Sequence, residues 1–310
     1  MFRYCIRKFF KILTLFLIIS IITFMVVRII PGDPTIAYLN TFNLSLTEEN
    51  INFIKGEMGL NKSLLEQYLI WIKNIFNLNL GKSYLTNIDV YTTMKTSFVY
   101  TSKLAIASIL WILFLGFPLG ITTALYSNKF IDRVVRGISL FGISLPKFWL
   151  GFLAINLFAI ELKFFPISGA YSSWSIILPS FTLSLSYIAY YIRLIRNNML
   201  WNLNQDYIKF AKIRGVKKSR IIFHYAFKNS LNPIITSLGM NIGSMLSGAV
   251  IVENIFAWPG IGRLIVEAID GRDYPVIQGY ILLVSIVYII SNALADIFCY
   301  YLDPRIRKDI

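Results

Sequence analysis

Charge is scarce in this sequence. Only 15% of its 310 residues are Asp, Glu, Lys or Arg, against about 25% in a soluble domain. Histidine occurs once, at His224, and cysteine twice, at Cys5 and Cys299. With one histidine, a Ser-His-Asp triad has little support, and no His-Glu-x-x-His run supports a metal-dependent protease. His224 sits in a basic loop and reads as a surface residue. No Gly-x-x-x-x-Gly-Lys-Ser/Thr run occurs, so no nucleotide site is visible. Both cysteines fall at expected cytoplasmic helix ends, where a disulfide is not expected. No metal-ligand cluster is visible.

Apolar residues fill the space left by charge. They make up 56% of the chain and come in long blocks, at about 9–30, 98–126, 135–160, 174–195, 230–255 and 275–302. A run of about 20 apolar residues spans the hydrocarbon core of a bilayer as a helix. The first block is too long for a signal peptide and is followed by no small-x-small cleavage site, so it reads as an uncleaved span. Pro118 and Pro146 lie inside blocks. Membrane helices tolerate proline because neighbours re-satisfy the freed carbonyl, and each block is expected to be one helix.

Segment 31–97 is polar. It opens on Pro31-Gly32-Asp33-Pro34, a helix stop and turn. Ser45-x-x-Glu48 reads as a capping box for a helix ending at Gly59, and Ser63-x-x-Glu66 as a second one. The second heads an amphipathic stretch with Leu65, Leu69, Ile72 and Phe76 on one face. A small helical unit is expected here.

The charges that exist are ordered. Between Arg193 and Lys228 there are nine cations against one acid, Asp206. Segment 253–274 carries Glu253, Glu267, Asp270 and Asp273 against Arg263 and Arg272. The tail holds Arg305, Arg307 and Lys308. Basic loops alternate with neutral or acidic ones, which puts both termini in the cytoplasm and gives six spans. This bias also accounts for the net charge of +14 without nucleic acid. Asp296 is the clearest charge within a span, and pairing with a cytoplasmic arginine is the expected role.

Residues 201–233 are the most informative loop. Asp206 can start a short helix and Gly215 can end it. Tyr207, Phe210 and Ala211 give that helix a partly apolar face with a small residue in it, suited to docking in a groove. A solvated basic loop against anionic lipid fits the residues equally well.

The pattern Asp206-Tyr207-Ile208, Ala211, Gly215, Asn229 and Pro233 resembles the cytoplasmic coupling loop of binding-protein-dependent ABC importer permeases. Further matches run in the family's order. They are Arg28-x-x-Pro31-Gly32-Asp33-Pro34, Gly142-Ile143-Ser144-Leu145-Pro146-x-Phe148-Trp149, the run from Glu253 to Arg263, Arg272-Asp273-Tyr274-Pro275-Val276-x-Gln278, and the tail from Asp303 to Arg307. Together they resemble the first permease of the dipeptide, oligopeptide and nickel importers. The short loop 161–175 and the run from Glu253 to Gly260 look most like nickel-type permeases. Gln205 and Asn232 depart from the pattern, standing where many relatives carry Glu and an apolar residue.

The resemblance implies an all-α permease fold in the bacterial inner membrane. Its parts would be a first span (1–30), an extracytoplasmic helical loop (31–97), a five-span core (98–302) with coupling loop 197–229, and a cytoplasmic tail (303–310). It implies a homologous second permease, two ATPase subunits that bind the ATP, an extracytoplasmic binding protein, surrounding lipid, and no cofactor or catalytic residue in this chain. Asp206, Tyr207, Ala211, Arg214 and Gly215 would meet the ATPase. Glu253, Trp258, Pro259, Gly260, Arg272 and Asp273 would serve a gate or the binding-protein contact, although Pro259 and Gly260 read first as a structural turn. The implied substrate is nickel, as ion or chelate, with a short peptide as the alternative. A self-sufficient channel or a proton-coupled carrier dependent on Asp296 is the reading from another class.

Overall fold

A computed structural model of the chain describes the backbone of residues 2–29 and 32–302, and within these the side chains of 13–29, 32–246, 249–295 and 297. The side chains of Cys5, Asp296 and Cys299, together with Pro31 and the tail from Asp303, lie outside the described residues.

The described residues are helical almost throughout, in the order α1 (Phe2–Ile29), α2 (Pro34–Thr41), α3 (Glu48–Glu57), α4 (Leu64–Phe76), α5 (Val90–Trp111), α6 (Phe117–Leu125), α7 (Phe130–Ser144), α8 (Lys147–Ala154), α9 (Ile177–Leu203), α10 (Asp206–Ile213), α11 (Lys218–Arg220), α12 (Lys228–Ile255), α13 (Ile261–Asp270) and α14 (Tyr274–Leu302). Wide π turns at Ile112–Gly116, Ile155–Glu161 and Ile221–Phe227 join or extend several of them. Three stretches, Val90–Leu125, Ser173–Leu203 and Tyr274–Ala295, are long and apolar enough to cross a membrane, and bent helix pairs bring the total to as many as six. The chain is an all-α polytopic membrane protein.

The block 135–160 is not one helix. α7 and the stretch Lys147–Glu161 are bent by 104°. Pro146 disfavours the helical region for the residue before it, and Leu145 is extended at φ −80°, ψ 130°. No neighbour restores the helix here. Pro118 behaves differently: it falls just after the π turn Ile112–Gly116, and the helix Val90–Leu125 runs on through it without a break.

The chain divides into two compact units, 1–101 with 259–289, and 102–258 with 290–310. In the first, the capping of α3 differs from expectation. Thr47 is its N-cap and accepts from the Asn50 N–H. Ser45 instead receives the Asn50 side chain. Gly59 does stand just past the helix, at φ +67°. The second capping box forms as read, with Ser63 and Glu66 bonding reciprocally.

α4 meets α1 mainly through the edge beside its aliphatic stripe. Its Tyr68 packs on Phe24 of α1 and hydrogen-bonds Ser20 at 2.9 Å, while Gln67 accepts from Arg28 at 2.6 Å. Of the expected stripe, Leu65 and Leu69 are left outside, Ile72 is half-buried, and Phe76, though largely exposed, tilts against Phe16 of α1 at 6.5 Å. The aromatic and polar edge wins because α1 offers it an edge-on ring, a hydroxyl and a guanidinium, which an aliphatic stripe could not satisfy. α1 itself exposes Ile18, Ile22, Met25 and Ile29, an apolar surface of the kind hydrocarbon covers.

The second unit is built on α9. Tyr191, Ile195 and Met199 are fully buried in a cluster that also holds Ile112, Ile188, Ile234 and Met245. Lipid supplies no hydrophobic drive between helices, so close backbone approach matters more than in water. Gly120 of α6 provides it: a Cβ there would lie 2.8 Å from that of Ile195. A buried ion pair adds specificity. Asp132, inaccessible in the first turn of α7, receives Arg196 Nε at 2.7 Å and Nη2 at 2.8 Å, and Arg136 approaches at 3.2 Å.

Candidate functional site

Three groups of side chains on this scaffold bear on function. The first is the basic loop after α9. α10 is a two-turn helix with Gln205 in the N-cap position and Asp206 as its first residue. Asp206 bonds Lys209 at 2.8 Å, and that hydrogen bond holds its carboxyl below the usual range. Gly215 stops the helix at φ +73°. Its N–H reaches the Lys212 carbonyl, the Val216 N–H reaches that of Ala211, and the space around Gly215 is open. Asp206 therefore opens the helix from within it instead of capping it, and Gly215 ends it as read.

Ala211 does not face outward. It is buried with Ile208 and Ile221, against Leu203, Val216 and Tyr225. A small residue there lets α10 lie on its own chain. The outward face carries Asp206, Lys209, Phe210, Ile213 and Arg214, with Phe210 63% and Ile213 82% exposed. An open apolar pair ringed by charge suits contact with a partner or with an anionic lipid surface.

A polar knot fixes the angle of α10. Tyr207 Oη donates to Asn202 Oδ1 at 2.8 Å and accepts from Asn229 at 3.2 Å, while Asn202 Nδ2 donates to Ser230 at 3.0 Å. The end of α9, α10 and the start of α12 thus share one network. Tyr207→Phe removes its hinge and leaves the buried Asn202 oxygen short of a donor, a cost of about 1–3 kcal/mol. In the importer that the resemblance implies, ATP-dependent uptake is expected to fall severalfold with unchanged amounts of chain in the membrane. Uptake at the normal rate would show that the knot does not position α10.

The second group is a polar ladder between α9 and α12, inside the spans. Tyr187 pairs with Ser244 at 3.0 Å, Ser237 donates to Tyr190 at 3.0 Å, and Asn241 donates to Tyr191 at 2.8 Å. Tyr190 and Ser244 are exposed in the chain, and Tyr187, Ser237 and Asn241 are half-buried. At the top of the bend made by Pro146, Lys147 places its ammonium 4.9 Å from the Tyr187 ring centre. Tyr187 stands near the middle of the Ser173–Leu203 span. A lysine facing lipid at that depth costs about 2.5–3.5 kcal/mol. Among the described residues no carboxylate pairs with it. Sequence reasoning missed this cation because it treated 135–160 as a uniform span; a lysine directly after a proline inside an apolar block was the available signal.

The remaining expected residues lie on either side of the turn into α13. Pro259 and Gly260 form the turn into α13, with Pro259 exposed and Gly260 buried. Glu253 and Trp258 are both buried, and the Trp258 N–H bonds the Glu253 carbonyl at 2.8 Å. Asp273 is 1% exposed. It takes the Ser83 hydroxyl and the Leu85 N–H, and burial pushes its carboxyl up from the usual range. Arg272 is half-buried, and its guanidinium lies where a Cβ on Gly32 would be. The structure thus joins the Gly32-Asp33 and Arg272-Asp273 motifs. Asp33 caps α2 through Thr35 and pairs with Lys55 at 3.1 Å. Of the six expected external residues, Pro259 and Arg272 keep the most accessible surface.

Comparison with known proteins matches residues 116–308 to the binding-protein-dependent transport system inner membrane component family, and residues 1–107 to the N-terminal family of the same transport-system membrane components. The chain belongs to this permease family. A probable peptide ABC transporter permease of Sinorhizobium fredii is 34% identical over 313 residues, covering 98% of this chain and 99% of the relative. The glutathione transport system permease of Escherichia coli strain K12 and the metal-staphylopine import system permease of Staphylococcus aureus are each 33% identical, covering 99% of both chains in each pair. In fold, the permease resembles a chain of an inward-facing methionine ABC transporter, with a TM-score of 0.58 at 14% identity over 68% of this chain and 96% of the other. The permease is therefore a multi-pass subunit of a peptide/nickel-type ABC importer of the bacterial inner membrane. Family membership implies a second permease, ATPases and a binding protein around it. No single substrate class dominates its relatives, so the nickel-first expectation gives way to the broader one.

Proposed function

We propose that the permease forms half of a path for short peptides, with the face of α9 and α12 that bears Tyr187, Tyr190, Ser237, Asn241 and Ser244 turned to the substrate. The observation that carries this reading is the ladder itself. Hydroxyls and an amide exposed in mid-span are costly against hydrocarbon and suit a substrate made of amides. The names of the peptide and glutathione relatives point the same way. In this reading α10 transmits closure of the ATPases through its outward Phe210, Ile213 and Arg214. Asp206, Tyr207, Ala211 and Gly215 hold it in shape, and the external segments around Pro259 and Arg272 meet the binding protein. A second reading, a metal chelate, draws on the metal-staphylopine relative. Uptake of a labelled dipeptide and of radioactive nickel, in cells with and without this gene and with the full transporter set expressed, separates the two. Loss of dipeptide uptake alone is expected. Loss of nickel uptake alone would transfer the assignment to the metal.

A further inference from the structure

We propose that Lys147 is a substrate-contacting residue of the path and selects substrates that carry a free carboxylate, an inference that rests on the peptide reading and narrows it. Three observations lead here. The ammonium sits at mid-span, held by the Tyr187 ring and by no carboxylate among the described residues. A desolvated cation without a counter-charge is a site waiting for an anion. The ring that holds it belongs to the polar ladder, since Tyr187 continues through Ser244 on α12. The 104° break at Pro146 places Lys147 in the first turn of α8 and not on a continuous helix wall, so its four-carbon stem reaches the ladder from the side.

The chemistry then divides along the stripe. A peptide has one terminal carboxylate and a run of amides. The carboxylate matches the ammonium, and the amides match the hydroxyls of Tyr187, Tyr190, Ser237 and Ser244 and the amide of Asn241. A bare divalent cation would meet repulsion at Lys147. Among the described residues there is also no group of three or more His, Cys, Asp or Glu side chains placed to hold a metal.

The test uses the complete transporter in proteoliposomes, with its binding protein, and compares uptake of one labelled dipeptide as the free acid and as the C-terminal amide. Wild type, Lys147→Gln and Lys147→Arg are measured at equal amounts of inserted chain. The wild type is expected to favour the free acid by about tenfold or more, the scale of one charge-assisted hydrogen bond. Lys147→Gln is expected to bring that ratio close to one while leaving amide uptake in place, and Lys147→Arg to keep the preference. A Lys147→Gln transporter that still prefers the free acid overturns the assignment. So does one that loses both substrates equally, since that points to a pairing with an acid of the second permease. A wild-type transporter that carries neither form removes the peptide reading itself, and this inference with it, whereas the first two failures leave that reading standing.

Discussion

Arg196→Met is expected to destabilise the permease by about 3–5 kcal/mol, because breaking one side of a buried pair strands a charge. Asp132 is inaccessible and holds Arg196 through both oxygens, and the Asn128 N–H occupies the second one as well. Without the guanidinium, the carboxylate keeps only Arg136, which is half-exposed. The pair links the first turn of α7 to the C-terminal part of α9, so its loss should loosen α7 before the rest of the unit. The thermal midpoint of the solubilised protein should drop by about 10 °C. Asp132→Asn combined with Arg196→Met should recover most of that loss, since a neutral amide is far cheaper to bury than a lone carboxylate. An unchanged midpoint for Arg196→Met would mean that water reaches Asp132.

Gly215→Val is expected to abolish most transport while the chain still inserts. At φ +73° a residue with a Cβ pays about 1–2 kcal/mol, and a β-branched one more. The open surroundings of Gly215 rule out a steric clash as the cause, so the effect is local to the helix stop. The Gly215 and Val216 N–H groups close the last turn of α10. If that turn unwinds, Ile213 and Arg214 lose their place on the outward face. Uptake should fall about tenfold or more, the rate equivalent of that strain, and less of the ATPase should co-purify. Gly215→Asn, which tolerates the left-handed region, should retain much of the activity. Normal uptake and normal ATPase recovery with the valine would remove Gly215 from the coupling device.

How far the residues alone carried depended on the kind of constraint. The spans were legible because length and apolarity are set by the bilayer, and α9 and α14 appear close to where the hydropathy put them. The capping box at Ser63 and the stop at Gly215 were legible because each is a local rule satisfied within a few residues. Thr47 displaced Ser45 as a cap because both are good N-cap residues two positions apart, and only packing chooses between them. The bend at Pro146 was misread because whether a neighbour restores a proline break is a tertiary fact. Ala211 was read as an outward small residue, yet it faces Ile208 and Ile221, since helical spacing gives a face but not its direction. Leu65 and Leu69 of α4 lie open for the same reason. In a membrane protein an apolar face need not point inward. Asp132 with Arg196, the Asn202-Tyr207-Asn229 knot and Lys147 beside Tyr187 join residues between 5 and 64 positions apart, and no pattern in a single sequence announces such pairs. The resemblance found the family but placed nickel first, where the relatives also include peptide and glutathione permeases.

We propose that this chain is one half of a path and moves nothing by itself. The most direct measurement is uptake of a labelled dipeptide into proteoliposomes holding either this chain alone or the chain with its second permease, ATPases and binding protein, each with and without ATP. Uptake only in the complete set, and only with ATP, is the expected result. Uptake by the chain alone, independent of ATP, would contradict the account and restore the self-sufficient channel or carrier.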